Sequence, residues 1–222
     1  MIKITAFRWV PPFAQGLVRD LRVRWVLEEL GLPYETRLIG LEDRDSPAYR
    51  CQQPFGQVPL YEEQEESGET LTLFESGAIV MVLAERSEIL LPAEPAARAK
   101  AIQWMFAALN SIEPHVVNLA LASSFYANEE WAKLRTPSLR ELVEKKLDAL
   151  GSRIGDREWL EGSFTAGDLL MVTVLRILRD TDLLDTHATL KAYRARGEAR
   201  PAFQRALKAQ MEPFPHHAPT GL

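Results

Sequence analysis

The sequence predicts an α/β domain followed by an all-helical domain. Strand, helix and strand patterns follow one another at the N-terminal end, which is typical of a βαβ unit with two parallel strands. Two more strand patterns then lie close together and lead into a helix, as in an antiparallel hairpin. Beyond a short segment with two prolines, only helical periodicity is found. We predict an α/β domain at 1–86, a linker at 87–95 and a helical domain with a mobile tail at 96–222.

Composition narrows the class of protein. The 222 residues are 46% hydrophobic and 26% charged, as in an ordinary soluble globular protein, and the net charge of -5 disfavours a nucleic-acid partner. A single cysteine, Cys51, excludes an internal disulfide framework and a CxxC centre. No apolar run approaches the ~20 residues that span a bilayer, and the start of the chain lacks a signal-peptide pattern. We expect a cytoplasmic protein with no membrane segment.

The βαβ unit occupies the first forty residues. Residues 2–7 alternate and are rich in strand formers, and a loop with two consecutive prolines follows them. Apolar residues return at helical spacing from Val18 to Leu30, and Gly31 is a helix stop. Residues 34–39 have the composition of a second strand.

The hairpin and the helix after it complete the α/β domain. Strand patterns at 58–61 and 70–74 are joined by an acidic turn, and a helical pattern runs from Glu75 to about Arg86. A βαβ unit followed by ββα is a thioredoxin-like arrangement, so we predict this fold for the domain.

The first strand of the hairpin begins with the segment Gln57-Val58-Pro59. Pro59 has no N–H for a sheet ladder, and an X-Pro bond is the only kind that readily adopts cis. If this bond is cis, the N–H and C=O of Val58 are free to pair with an extended peptide by strand addition. The alternative is structural, because Val-Pro before a strand is common.

The helix after the hairpin begins at Glu75-Ser76. A helix start offers unpaired N–H groups and a partial positive charge to an anion. Ser76 adds a hydroxyl, and Glu75 can accept hydrogen bonds from an ammonium group. A small zwitterionic peptide suits both segments together, although a Glu-Ser pair at a helix start is often only a cap.

The order and spacing of these two segments resemble the glutathione S-transferase superfamily, in particular its bacterial cytosolic type. Its first domain carries Val-Pro before the third strand and Glu/Asp-Ser at the third helix. The run from Trp25 to Glu35 is also similar to the end of the family's first helix and its second strand. The resemblance extends from Met1 to about Gln210.

The resemblance implies the co-substrate and the partners. Glutathione is expected as the co-substrate, with no metal, and the second substrate is a small hydrophobic or electrophilic molecule. The chain is expected to form a homodimer. The residues implied in binding glutathione come from the two segments above: Gln57, Val58, Pro59, Glu75 and Ser76.

The second half is predicted to be helical throughout. Residues from Ala96 to about Ser124 read as one long helix kinked by Pro114, and a second helix is predicted to begin at Pro137 and end near Ile154. Residues 163–168 predict a capping box, in which Thr165 and Asp168 bond to each other's backbone N–H. This box resembles the structural folding box of the same family.

The group that activates the thiol is missing from its usual place. The family supplies it with a Tyr, Ser or Cys after the first strand, yet no Tyr, Ser, Thr or Cys lies between Phe7 and Val23. Arg19 is the best side-chain candidate, because a guanidinium stays charged and donates hydrogen bonds to an anion. The backbone of the 12–16 loop, Trp9 and Gln15 are alternatives.

Four other polar residues receive structural interpretations. Asp20 repels a thiolate and is therefore expected to be a helix N-cap or a surface charge. Cys51 lies away from the catalytic position and is expected to be a buried structural cysteine. The pair His216-His217 lacks further ligands at metal spacing, so no metal site is predicted there.

The resemblance also implies where the second substrate binds. Trp9 and Phe13 of the first loop, and Phe106 and Asn110 of the long helix, are expected to line an apolar acceptor pocket. The predicted function is transfer of the glutathione thiol to a small electrophile. The alternatives are a non-catalytic binding or regulatory protein and a glutathione-dependent isomerase, dehalogenase or disulfide reductase.

Overall fold

The computed structural model describes residues 1–219, which form two compact units. The first unit combines Met1–Ser87 with the chain from Arg200 onwards, and the second is Glu88–Ala199. The first unit therefore ends within a residue of our boundary at 86. Residues from Arg200, which we assigned to the helical domain, group with the α/β unit instead.

The first unit contains a mixed sheet of four strands in the order β2-β1-β3-β4. β1 is parallel to β2, whereas β1–β3 and β3–β4 are antiparallel pairs. This is the sheet of a βαβ unit followed by a hairpin, so the predicted thioredoxin-like fold is confirmed. The strands are β1 (Ile2–Phe7), β2 (Tyr34–Ile39), β3 (Leu60–Gln64) and β4 (Thr70–Phe74).

Three helices alternate with these strands, and two more return to the same unit at the end of the chain. Gly31 closes the first helix in the left-handed region, at φ 65°, which favours glycine. The helices of this unit are α1 (Asp20–Leu30), α2 (Pro47–Arg50), α3 (Ser76–Ala84), α9 (Pro201–Met211) and α10 (Phe214–His217).

Helix α9 packs on α1. The rings of Trp25 and Phe203, both fully buried, meet edge to face with their centroids 4.8 Å apart. Arg200 forms a bidentate ion pair with Glu29, with distances of 2.6 and 2.8 Å. In the tail that we predict to be mobile, Phe214 is buried in the short helix α10. Residues 220–222 of this tail lie outside the described residues, and its mobility stays a prediction.

The second unit is helical, as predicted. π-helical turns at Ala107–Ile112 and Leu121–Phe125 extend its first two helices, so that the predicted long helix is nearly continuous from Pro95 to Phe125. Pro114 lies in the first turn of α5, where its missing N–H costs little. The helices are α4 (Pro95–Phe106), α5 (Glu113–Ala120), α6 (Glu130–Ile154), α7 (Ala166–Leu175) and α8 (Ala188–Glu198).

The predicted start of α6 is wrong. The helix begins at Glu130, seven residues before Pro137, which lies inside it. A proline there leaves the Lys133 carbonyl without its helical donor. Lys133 is exposed, so water can hydrate this carbonyl. The helix therefore tolerates the proline at its solvent-facing side.

The predicted capping box is present at the start of α7, whose residues are all buried. Asp168 accepts hydrogen bonds from the backbone N–H of Thr165 and of Leu160, each at 2.9 Å, and from the Tyr193 hydroxyl, also at 2.9 Å. Burial raises the pKa of the Asp168 carboxyl, and these donors oppose that shift. Within residues 1–219, no helix combines the length and the apolar character required to cross a membrane.

Candidate functional site

The open end of the β3–β4 hairpin brings the two predicted segments together. Leu60 pairs with Phe74 at the last position of the ladder. Val58 lies two residues before Leu60, and Ser76 lies two residues after Phe74, so both segments begin at this end of the hairpin, just outside the ladder. The five residues predicted to bind glutathione thus lie at one edge of the first unit.

The Val58–Pro59 peptide bond is cis, as the sequence predicted. β3 begins at Leu60 rather than at Val58, because Pro59 has no N–H to donate to a ladder. Among the residues that the structure describes, the Val58 N–H has no hydrogen-bond acceptor. Its side chain is buried with those of Ile39 and Leu60, which fixes the backbone and leaves the N–H for a ligand.

Glu75 has a strained backbone, with φ 69° and ψ 109°. A non-glycine residue in this region costs about 1–3 kcal/mol, and such residues cluster at functional sites. Its side chain is exposed and has no hydrogen-bond partner within the described part of the chain. Ser76, the first residue of α3, is only 4% exposed. A carboxylate thus lies beside a helix N-terminus, as binding of a zwitterion requires.

Arg22 is a residue of this site that the sequence did not reveal. Arg22 is only 3% exposed, and its Nη1 donates to Ser76 Oγ at 3.2 Å. The contact places a permanent positive charge beside the N-terminus of α3 and reinforces its preference for an anion. The sequence did not reveal this role for two reasons. Arginines in an amphipathic helix are usually interpreted as surface residues, and the buried contact joins residues 54 positions apart.

The prediction for Asp20 is wrong, because its side chain is buried. Arg24 Nε donates to Asp20 Oδ2 at 2.8 Å, and Gln210 Nε2 donates to Oδ1 at 2.6 Å. Burial raises the pKa of the Asp20 carboxyl, and the charge of Arg24 opposes the shift. The N-cap position of α1 belongs to Arg19. Asp20 therefore ties α1 to α9 and does not face solvent.

The first loop contains the candidates for thiol activation. Arg19 is exposed at the N-terminus of α1, and residues 12–14 form a 3-10 turn. Gln15 Nε2 donates to the Val10 carbonyl at 3.1 Å. Gln15 therefore braces the loop. The roles of Arg19, the loop backbone, Trp9 and Gln15 in activating the thiol stay predictions.

The predicted acceptor residues lie in both units. Phe13 is half exposed in the first loop, and Trp9 is partly buried just before it. In the second unit, Phe106 ends α4, and Asn110 lies in the π-helical turn that follows. Both side chains are exposed, and π-helical turns are frequent at functional sites. Their role in binding a second substrate stays a prediction.

Cys51 is exposed, so the prediction of a buried cysteine is wrong. It lies one residue beyond the four-residue helix α2, which is too short to bury every side chain it carries. Its Sγ donates to the Ala48 carbonyl at 3.1 Å. Among residues 1–219, no three His, Cys, Asp or Glu side chains come together as a possible metal site.

A groove of about 760 Å³ elsewhere in the first unit runs between α1, β2 and α9. None of the predicted glutathione-binding residues lines it. Its two arginines, Arg24 and Arg205, are paired with Asp20 and Glu28. The groove therefore offers no uncompensated positive charge to an anionic ligand.

Comparison with known proteins points to one family. Residues 21–94 match the family described as Glutathione S-transferase, N-terminal domain. The chain is 29% identical over 225 aligned positions to the Glutathione S-transferase-like protein gedE of Aspergillus terreus, covering 90% of this chain and 95% of that protein. Over most of its length, the chain is thus similar to proteins of the glutathione S-transferase superfamily.

Two further similar proteins bear on the chemistry. The Disulfide-bond oxidoreductase YfcG of Escherichia coli is 29% identical over 205 positions, covering 86% of this chain and 91% of that protein. A glutathione transferase family member from Pseudomonas fluorescens, solved with two glutathione molecules bound, has a TM-score of 0.79 and 27% identity. The match covers 93% of this chain and 92% of that one.

Proposed function

We propose that this protein binds glutathione at the open end of the β3–β4 hairpin. The observation that carries the proposal is the juxtaposition of three groups: the exposed Glu75 carboxylate, the N-terminus of α3 at Ser76 and the unpaired Val58 N–H. Glu75 receives the ammonium of the γ-glutamyl end, and Ser76 with the helix N-terminus receives its carboxylate. Val58 pairs with the cysteinyl backbone.

The proposed reaction is transfer of the glutathione thiol to a small electrophile. A free thiol has a pKa near 8.5, so only a few per cent is thiolate at neutral pH. Lowering this pKa by two units requires about 2.7 kcal/mol of preference for the anion. The proposed donor is Arg19. The backbone of the first loop is the alternative, and there the Ala14 and Gln15 N–H groups already donate to the Pro11 and Pro12 carbonyls. The sulfur of the thiolate attacks the electrophile, and the leaving group departs with the displaced electron pair.

Reduction of disulfides is the second candidate function. It is favoured by the similarity to an Escherichia coli disulfide-bond oxidoreductase and by the bacterial relative solved with two glutathione molecules. Two glutathiones supply the two electrons: one thiolate attacks the substrate disulfide, and the second displaces the product thiol to give glutathione disulfide. A non-catalytic glutathione-binding protein is the third alternative.

Calorimetric titration with glutathione tests the binding site. Glu75→Ala removes a charge-assisted hydrogen bond, so binding should weaken by about 1.5–3 kcal/mol. Ser76→Ala should also weaken binding, because it removes a hydroxyl next to the ligand carboxylate. Glu66→Ala, which removes an exposed carboxylate in the hairpin turn, is the matched control and should bind like the wild type. Unchanged glutathione affinity in both Glu75→Ala and Ser76→Ala would contradict this assignment of the binding site.

A panel assay separates the reactions. The wild type is incubated with glutathione and either small aromatic electrophiles or mixed disulfides, and product formation is compared with the Ser76→Ala variant. Conjugates that depend on Ser76 support a transferase, and glutathione disulfide formed only with the disulfide substrates supports the reductase. Binding without turnover in either arm supports the non-catalytic alternative.

Assembly and location complete the proposal. We expect a cytoplasmic homodimer, on the resemblance to the superfamily. Light scattering coupled to size-exclusion chromatography measures the mass in solution. A mass near 25.1 kDa, that of one chain, would contradict the homodimer.

A further inference from the structure

Tyr49 makes a buried hydrogen bond to the loop that carries the candidate site. The side chain is 6% exposed, and its hydroxyl donates to the Gln57 carbonyl oxygen at 2.6 Å. The ring packs in the small core cluster that also contains Val58 and Leu60. The hydroxyl is therefore the polar end of a core residue, directed at the loop before β3.

This contact fixes the direction of the Val58 N–H. The Gln57 carbonyl and the Val58 N–H belong to the same peptide group, which is planar and trans, so they point in opposite directions. Since the carbonyl is held by the buried Tyr49 hydroxyl, the N–H faces away from the core. A hydrogen bond to the carbonyl also polarises the peptide and makes the N–H a better donor.

Two further hydrogen bonds hold Tyr49 and the loop before β3 in place. Ser46 caps α2, and its Oγ accepts from the Tyr49 N–H at 3.3 Å. The Gln53 side chain, which is 2% exposed, accepts from the Phe55 N–H at 2.8 Å and holds the loop at a second point. Burial raises the pKa of Tyr49 to about 12, so the hydroxyl keeps its proton at neutral pH.

We propose that Tyr49 is a positioning residue for glutathione: its hydroxyl holds the Gln57 carbonyl so that the Val58 N–H meets the cysteinyl carbonyl of the tripeptide. The inference rests on the proposed function, and it assigns to α2 a part in recognising the middle of the ligand. Tyr49 does not contact the ligand, and its effect is transmitted through one peptide group.

Tyr49→Phe removes the hydroxyl and keeps the ring. Glutathione affinity should fall roughly threefold to tenfold, as for the loss of one hydrogen bond that orients a donor. Tyr61→Phe is the matched control, because Tyr61 is also buried and its hydroxyl donates to Glu63 Oε2 at 2.7 Å, on β3 but away from the Val58 peptide. Its affinity should remain within twofold of the wild type.

A spectroscopic measurement follows the Val58 N–H itself, in the wild type and in Tyr49→Phe. The amide proton resonance of Val58 should move downfield when glutathione binds, because the N–H gains an acceptor. In Tyr49→Phe the shift at saturation should be smaller. L-theanine serves as a second probe: it retains the γ-glutamyl end and its amide but lacks the cysteinyl carbonyl. It should leave the Val58 resonance in place in both proteins.

The outcomes are distinct. Weaker glutathione binding in Tyr49→Phe alone, with a reduced Val58 shift, supports the inference. Equal weakening in Tyr49→Phe and Tyr61→Phe, wild-type affinity in Tyr49→Phe, or a Val58 resonance that glutathione does not move would overturn it while leaving glutathione binding intact. A wild-type protein that does not bind glutathione would overturn the proposed function and this inference together.

Discussion

Three charged residues of α1, all within five positions of one another, have two different roles. Asp20 and Arg24 form a buried ion pair, in which the cost of desolvation offsets much of the attraction. Removing either residue would leave the other as an unpaired buried charge, which is strongly destabilising. Gln210 of α9 also donates to Asp20, so the pair helps to hold α1 against α9. Arg22 instead contacts Ser76 and contributes charge to the candidate site. Side-chain direction, rather than residue type, assigns these roles.

Arg19 is the residue on which activation of the thiol can be tested. If its guanidinium stabilises the thiolate, Arg19→Ala should raise the pKa of bound glutathione by roughly one unit, since a nearby opposite charge favours the anion. Ultraviolet titration of the thiolate in the bound complex measures this pKa. Arg135→Ala, an exposed arginine of the second unit, is the control and should not change it.

An unchanged pKa in Arg19→Ala would remove Arg19 and leave the first-loop backbone as the donor. Cys51→Ala should keep wild-type turnover, because the exposed Cys51 lies after α2 and outside the predicted binding residues. A bound structure with a Tyr or Ser hydroxyl within about 3.5 Å of the sulfur would contradict both candidates, since that is near the limit of a hydrogen bond.

At the scale of elements, local signals predicted the β1–β2 unit and both ends of β4. Alternation and strand-forming residues are properties of neighbouring positions, so they can be read directly from the sequence. The prediction of a helix boundary from a proline was wrong where the effect of the proline depends on its surroundings in the fold. Pro137 was read as a helix start, but it lies inside α6, where the exposed Lys133 carbonyl can be hydrated.

The candidate site was likewise predictable where it consists of contiguous motifs, and not where it depends on contacts between distant residues. Val58-Pro59 and Glu75-Ser76 are contiguous motifs with local chemistry, and the register of the hairpin brings them together. Arg22 was not predictable, because its role follows from a contact between α1 and α3. The same holds for the burial of Asp20, which requires Gln210 from the other end of the chain.

The capping box of α7 supports a prediction about the second unit. Asp168→Ala removes a buried carboxylate and leaves the N–H groups of Thr165 and Leu160 and the Tyr193 hydroxyl without an acceptor. The free energy of unfolding should fall by about 3–5 kcal/mol. Tyr193→Phe removes only one donor and should cost about 1 kcal/mol.

Urea denaturation followed by far-ultraviolet circular dichroism measures both changes. Asp156→Ala, which removes an exposed carboxylate of the same unit, is the control and should stay within about 0.5 kcal/mol of the wild type. If Asp168→Ala lost no more stability than this control, the box would not be the anchor of α7.

At the scale of the whole molecule, the chain leaves the first unit at Ser87 and returns to it at Arg200. The returning helix α9 covers α1 through Phe203 and ion pairs with Glu28 and Glu29. Since α1 also presents Arg22 to Ser76, the stability of α9 and the geometry of the site share one helix. The first unit is therefore not formed by the first 87 residues alone.

Phe203→Ala tests this dependence. The substitution removes a fully buried ring from its contact with Trp25, so the free energy of unfolding should fall by about 3–5 kcal/mol. The fluorescence of Trp25 is obtained by subtracting the signal of the same protein carrying Trp25→Phe. It should show that α1 loosens in the same unfolding transition. Leu41→Ala, at a half-exposed position of the same unit, should change the stability by no more than about 0.5 kcal/mol. A chain ending at Ala199 should expose Trp25 even without denaturant, and a native Trp25 signal in that truncated chain would show that α9 is dispensable for the first unit.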